Sequence, residues 1–306
     1  MRGKRIVSFL PSATELIYEL GAHERLFGVT HECNYPSDAS NKPRVIESVF
    51  NPEKMSSQEI DDKICSLSEK GEDIYKLVTE NLISAKPDLI ISQEICEVCS
   101  AYTIQVKTAM DILKVKPDVY SMNPHDVQGI LQCVKDISEK IDEVQKGCKL
   151  VNSLSTRINK IKEVSILNRP KVLGIEWIIP FFTAGHWVPE MIEYSGGINM
   201  ITKKGEHSRK MGIEEIENAD PDVLILMPCG FDVQRTISEY KKYLSNNSRW
   251  NQLRVVKKRK VFAVDANLFF SKPSIRVVTG IEILAKILHP DIFSDLQVPI
   301  NSFLKI

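Results

Sequence analysis

Apolar residues along this chain alternate between short solid runs and stripes at steps of three and four. Solid runs bounded by turn residues read as strands buried on both faces, and stepped stripes read as one face of a helix. The solid runs fall at Arg5 to Leu10, Leu26 to Thr30, Asp88 to Ser92 and Asp118 to Met122, then at Lys171 to Ile175, Asp222 to Met227 and Val261 to Val264. Helical patterns lie near 72–85 and 102–114, and again near 189–195, 213–218, 233–245 and 276–288. A further helix opens at Pro11-Ser12-Ala13-Thr14-Glu15 and closes at Gly21, with Ser12 and Glu15 at the spacing of a capping box. This alternation predicts parallel sheets covered by helices.

From about Pro124 to Leu167 the alternation gives way to one stripe that includes Val127, Ile130, Val134, Ile137, Ile141 and Val144 and continues to Ile161. A single helix over most of that stretch would be about 55 Å long at ~1.5 Å per residue, with Gly147 the natural place for a bend. The second half echoes the first, Pro87-Asp88-Leu89-Ile90-Ile91 having a counterpart in Pro221-Asp222-Val223-Leu224-Ile225. The expected fold class is α/β: two Rossmann-like lobes with parallel sheets, 1–124 and 168–306, joined by one long backbone helix over 125–167, with a ligand cleft between the lobes.

Composition narrows the function classes. The 40 Lys and Arg balance the 40 Asp and Glu, so no global field favours nucleic acid or an anionic membrane. The run Lys257-Lys258-Arg259-Lys260 reads as a solvated turn before a strand. No window approaches the ~20 apolar residues of a membrane span, so membrane insertion is not expected. The apolar run behind Arg2, Lys4 and Arg5 is broken at Pro11, too soon for the ~7 to 15 residues of a secretory core. Seven cysteines, an odd number, suit reduced thiols or metal ligands better than a complete disulfide framework. These features together predict a cytoplasmic protein.

Four cysteines sit just beyond strand patterns, where open parallel sheets bind ligands: Cys33, the pair Cys96 and Cys99, and Cys229. Thiolate suits zinc or an iron-sulfur cluster, and a C-x-x-C pair can place two sulfurs on one centre. Cys33, Cys96, Cys99 and Cys229 would make a four-thiolate set, with His31 able to replace one of them. Inert packing and a redox disulfide are the alternatives, and packing is the reading for Cys133, Cys148 and Cys65. A second constellation joins Glu176 and Trp177 to His186 and Trp187, the latter two before the helix-starting Pro189. Indoles and an imidazole form a wall for a flat ligand such as a corrin, and His186 can ligate a metal; the alternative is that both tryptophans are core. Arg276 is a candidate partner for an anionic ligand group. Ser12 reads as a cap. Nucleophile-elbow, Walker and H-E-x-x-H motifs are lacking, and whether any reaction is catalysed stays open.

Ser8-Phe9-Leu10-Pro11-Ser12-Ala13-Thr14-Glu15, His31-Glu32-Cys33-Asn34-Tyr35-Pro36, Cys96-Glu97-Val98-Cys99, Glu176-Trp177, Gly185-His186-Trp187-Val188-Pro189-Glu190 and Pro228-Cys229-Gly230-Phe231 carry a resemblance. The chain, over about residues 5 to 290, resembles the helical-backbone (class III, vitamin B12 or metal-chelate type) solute-binding proteins, in the cysteine-containing subgroup labelled cobalamin-binding. The resemblance implies two α/β lobes and a bridging helix, with the ligand held between the lobes. Relatives that serve uptake are exported and hand their ligand to a membrane permease. The chain departs from the family at Pro273-Ser274-Ile275-Arg276, where relatives carry a Gly-Pro-Arg turn.

Three functions follow as expectations. The first is a cytosolic binding protein for a metal-containing small molecule, a corrinoid, held by Glu176, Trp177, His186, Trp187, Phe231 and Arg276. The second is a metalloprotein or enzyme with an iron-sulfur cluster or zinc on the four cysteines. The third is an exported transporter component whose leader is missing, with a permease as partner.

Overall fold

The computed structural model describes residues 4–94 and 101–306. They form two units, the first comprising 4–54, 62–94, 101–124 and 128–152 and the second 55–61, 125–127 and 153–306.

In the first unit the elements are β1 (Ile6–Ser8), α1 (Pro11–Glu19), β2 (Leu26–Thr30), β3 (Arg44–Ser48), α2 (Ser57–Glu69) beyond its first turn, which belongs to the second unit, β4 (Tyr75–Leu77), α3 (Thr79–Ala85), β5 (Leu89–Gln93), α4 (Ala101–Ile112) and β6 (Asp118–Met122). The sheet order is β4-β3-β2-β1-β5-β6, parallel except for β4. Every residue of β1 is buried, as a central strand covered on both faces requires. Its core joins Val7 and Phe9 to Val45, Ile46, Leu82 and Ile90. β3, β4 and α2 lack clear sequence patterns: β4 is a short, partly exposed edge strand, and the apolar positions of α2 are separated by acids and lysines. The helix expected over 72–85 is therefore β4 followed by a shorter α3.

The predicted capping box at Ser12 does not form. Pro11 is the first helical residue and Leu10, with extended φ −153°, is the residue before it, so Ser12 already lies inside the helix. A proline at the first helical position shifts the cap back one residue.

The stripe over 125–167 is two helices, α5 (Val127–Lys140) and α6 (Val144–Lys162). The break lies at Asp142, which takes a left-handed φ of 59° while the Glu143 amide donates back to Ser138 O at 2.7 Å, a Schellman-type ending. Arg25 staples this turn through Ile141 O and Glu143 Oε1, both at 2.9 Å. Gly147 is not the bend: a Cβ there would stand 2.1 Å from Ser138 Oγ, so its lack of a side chain lets α6 approach the end of α5.

The second unit adds β7 (Lys171–Trp177), β8 (Phe182–Thr183), α7 (Val188–Tyr194), β9 (Ile198–Asn199), α8 (Ile213–Ala219), β10 (Val223–Leu226), α9 (Val233–Tyr243), α10 (Arg254–Lys257), β11 (Val261–Val264), α11 (Ala266–Phe269), α12 (Val277–Leu288) and β12 (Phe303–Lys305). Its sheet runs β12-β11-β10-β7-β8, with β9 also on β7. β7, β10 and β11 are parallel, whereas β8 and β12 are antiparallel edges, so both sheets are mixed rather than wholly parallel. Trp250, fully buried among Leu224, Leu226, Ile216 and Leu253, centres one core.

Candidate functional site

In the second unit the carboxyl ends of β7, β10 and β11 carry the chemistry-bearing residues. β7 ends in Glu176 and Trp177, and the neighbouring β10 runs into the turn at Pro228–Phe231, closed by Phe231 N–H to Pro228 O at 3.0 Å. Gly230 there has φ +77°, a left-handed conformation that favours glycine. Phe231 is 1% exposed. Its ring meets the half-buried Trp177 indole edge-on at 5.4 Å, and the Arg235 guanidinium stacks 3.7 Å from its centroid. The Trp177 N–H donates to Ser57 O at 3.2 Å and Arg235 to Met55 O at 2.8 Å, so residues 55–57 brace this aromatic stack.

The antiparallel β8 returns the chain to the end of β7 and delivers Gly185 and His186 beside Glu176. Glu176 accepts the Gly185 N–H at 3.2 Å and a hydrogen bond from Ser208, while burial pushes its carboxyl pKa up. A Cβ on Gly185 would lie 2.4 Å from Ser208 N and 2.7 Å from Glu206 O, which explains a glycine at this crossing. His186 has φ +54° and donates its N–H to Glu206 O at 2.6 Å.

His186 is buried, at 9% exposed, and its Nε2 has no hydrogen-bond partner. Its ring stands 5.0 Å from His207, and His207 stands 5.9 Å from His125. Burial foremost, then the nearby His207 and His125, lowers the His186 pKa from 6.5 to about 4, so the imidazole is neutral at physiological pH. Three of the chain's six histidines thus gather here. Buried Glu190 helps to place them: it accepts the Val127 N–H at 2.8 Å, the Tyr194 hydroxyl at 2.6 Å and the Lys204 ammonium at 2.8 Å, and Lys204 also pairs with Asp126 at 2.9 Å. His125 and His207 follow no periodicity, and only the scarcity of histidine hinted at them.

The other expected residues are dispersed. Trp187 is core, 5% exposed, with its indole N–H on Phe270 O at 2.8 Å. Arg276 precedes α12 and is half-buried, its N–H donating to Ser274 Oγ at 3.2 Å. Cys229 is exposed in the β10 turn.

In the first unit Cys33 is completely buried, its sulfur 3.1 Å from Thr14 Oγ1 and 3.3 Å from Thr30 Oγ1. Burial raises its pKa, so it is a packed thiol rather than the thiolate expected of a metal ligand. His31 lies beside Tyr75, ring centroids 5.7 Å apart. Cys96 and Cys99 lie outside the described residues. Among the described residues no three His, Cys, Asp or Glu side chains are placed to hold one metal ion, so the iron-sulfur and zinc expectation gains no support. Cys133 is buried as expected, whereas Cys65 and Cys148 are exposed because they fall on the outer faces of α2 and α6.

The sequence profile of the family described as "Periplasmic binding protein" matches residues 6–268. The uncharacterized ABC transporter substrate-binding lipoprotein YvrC of Bacillus subtilis is 25% identical over 301 residues, 95% of this chain and 82% of YvrC. The vitamin B12-binding protein of Vibrio campbellii is 20% identical over 258 residues, 81% of this chain and 80% of the relative. Among solved structures, an ABC transporter substrate-binding protein from Listeria monocytogenes superposes with TM-score 0.72 at 17% identity, covering 95% of this chain and all of that one. Staphylococcus aureus IsdE complexed with heme gives 0.69 at 15% identity, covering 94% and 99%. These findings overturn the cytoplasmic placement, since the matching family is periplasmic and the Bacillus relative is a lipoprotein of a transporter. They bear out the resemblance seen in the motifs: the chain belongs to the periplasmic binding protein family.

Proposed function

We propose that this protein is the substrate-binding component of an ABC transporter, partnered by a membrane permease, and that its substrate is a metal-bearing tetrapyrrole of the corrinoid type. The observation that carries the reading is the Trp177, Phe231 and Arg235 stack at the carboxyl ends of β7 and β10, with the indole half-exposed. A rigid aromatic face at strand ends suits the flat face of a tetrapyrrole-type macrocycle. The named ligands of relatives, vitamin B12 and heme, each carry such a macrocycle around a metal. His186 supports the metal-bearing part: a neutral imidazole with an unmet Nε2 can ligate a metal centre already held in a macrocycle.

The test is titration of the purified protein with cobalamin, cobinamide and haem, followed by absorbance and calorimetry. Stoichiometric binding of at least one is expected, weakened about tenfold or more in Trp177→Ala, the range for loss of a central aromatic contact. Failure of all three to bind would refute the reading.

A further inference from the structure

We infer that His186 and His207 form a two-histidine site for a divalent transition-metal ion of the nickel, copper or zinc class. The site is independent of the tetrapyrrole reading, which the Trp177 stack carries, and every residue it uses belongs to the second unit. His186 lies in the loop from β8 to α7 and His207 in the loop from β9 to α8. Two backbone hydrogen bonds join these loops: the His186 N–H donates to Glu206 O at 2.6 Å, and the Gly205 N–H donates to His186 O at 3.0 Å. They hold His186 at φ +54°, a left-handed conformation uncommon outside glycine. Such residues persist where the surrounding structure over-determines them, and they cluster at functional sites.

The ring spacing fits shared coordination. With ~2.1 Å from zinc to a ring nitrogen and about 1.2 Å from that nitrogen to the ring centre, two imidazoles on one ion stand about 5.4 Å apart at a tetrahedral angle and about 6.6 Å at most. The His186 and His207 centroids are 5.0 Å apart. His125 stands 5.9 Å from His207, but among the described residues no three such side chains are placed to hold one ion, so the site is a pair completed by solvent. The second observation is the Nε2 of His186, buried in a side chain that is 9% exposed and without a hydrogen-bond partner among the described residues. That is a costly state for a polar atom, and a bound ion relieves it. Burial also keeps the ring neutral, its pKa lowered to about 4, so no proton competes for the lone pair near pH 7. His207 is exposed, and exposed side chains change rotamer within nanoseconds, so its ring can turn to admit an ion. Nearby carboxylates are already committed: Glu190 to Val127, Tyr194 and Lys204, Asp126 to Lys204, and Glu206 to the Lys203 N–H at 2.8 Å. Imidazole nitrogen is therefore the donor on offer, which selects nickel, copper and zinc over the oxygen-seeking magnesium and calcium.

The test uses protein made without a histidine tag. Two protein ligands hold an ion less firmly than the four of a structural site, so the titration starts from the dialysed, metal-free chain. No tetrapyrrole is present, because its metal would claim the same Nε2. Calorimetry with zinc chloride and nickel chloride is expected to show saturable one-to-one binding, and magnesium chloride none. His186→Gln and His207→Gln are each expected to weaken zinc binding about tenfold or more, since even the outer partners of a metal site are worth ~10–100-fold. His125→Gln, a neighbouring histidine outside the pair, is expected to leave the affinity unchanged. Because His207 is exposed, its replacement spares the fold and decides the matter should His186→Gln fail to fold. With copper(II) chloride, electron paramagnetic resonance should show coupling to two imidazole nitrogens, falling to one in His207→Gln. No saturable binding, or binding that survives His207→Gln at full strength as an ion scattered over surface histidines would, overturns the site. Equal loss in His125→Gln overturns the two-residue assignment. Each of these outcomes leaves the tetrapyrrole reading intact.

Discussion

At the scale of single residues, His186 shows how burial sets chemistry. Its folded pKa of about 4 lies below the ordinary 6.5, chiefly through desolvation and then through His207 and His125. Between those values the unfolded chain binds a proton that the folded chain refuses, so this group makes stability rise with pH across the window. Glu176, in the same cluster, acts in the opposite sense, because a raised carboxyl pKa favours the folded state until pH climbs through its folded value. The two effects separate by substitution. Denaturant unfolding of the wild type and of His186→Gln, from pH 7 down to pH 4, is expected to show the wild type losing about 2 kcal/mol more than the variant. A stability difference that does not change with pH would contradict this account of His186.

At the scale of elements, regular patterns were legible and their interruptions were not. Leu26–Thr30 and Val261–Val264 are strands at the expected bounds, because solid apolar runs are best buried in a covered sheet, and Asp118–Met122 also forms at its expected bounds, as a partly exposed edge strand. The apolar stripe over 125–167 kept its helical period through Ile141, so the reversal at Asp142 left no trace in hydrophobicity; it depends on a left-handed residue and on Arg25, remote in sequence. The same remoteness hid Glu190, whose carboxylate draws the first turn of α5, through Val127, and the Lys204 loop onto α7. Removing it leaves the buried Val127 amide and the Tyr194 hydroxyl without their acceptor, while the half-exposed Lys204 ammonium keeps Asp126. Glu190→Ala is expected to cost about 3 kcal/mol in urea unfolding and to expose the Val127 amide to hydrogen exchange, with Tyr194→Phe costing only about 1 kcal/mol. Equal costs for the two variants would place the stability in the Tyr194 hydroxyl rather than in the clamp.

At the scale of the whole molecule, the family was legible because its motifs lie at strand ends, where a fold fixes position and leaves chemistry free to vary. The ligand wall was legible in part. Trp177 is half-exposed at its strand end, but Trp187 and Phe231 are buried, since an aromatic next to a strand serves packing as readily as recognition. The cysteines misled for a related reason: Cys33 follows a strand as a ligand would, yet the threonines around it make a small core pocket. What distinguishes a binding protein from a metalloprotein is therefore the response of the fold to its ligand. A molecule that binds the native state alone stabilises it by RT ln(1 + [L]/Kd), about 2.7 kcal/mol at a hundredfold excess over Kd. For a chain of 306 residues that corresponds to a rise of roughly 4 °C in the melting midpoint. Cobalamin or haem, whichever binds, should produce that rise in the wild type, and Trp177→Ala should lose most of it at the same ligand concentration. Chelators should leave the unliganded midpoint unmoved; a large fall on metal removal would instead restore the cysteine centre as the element that holds the protein together.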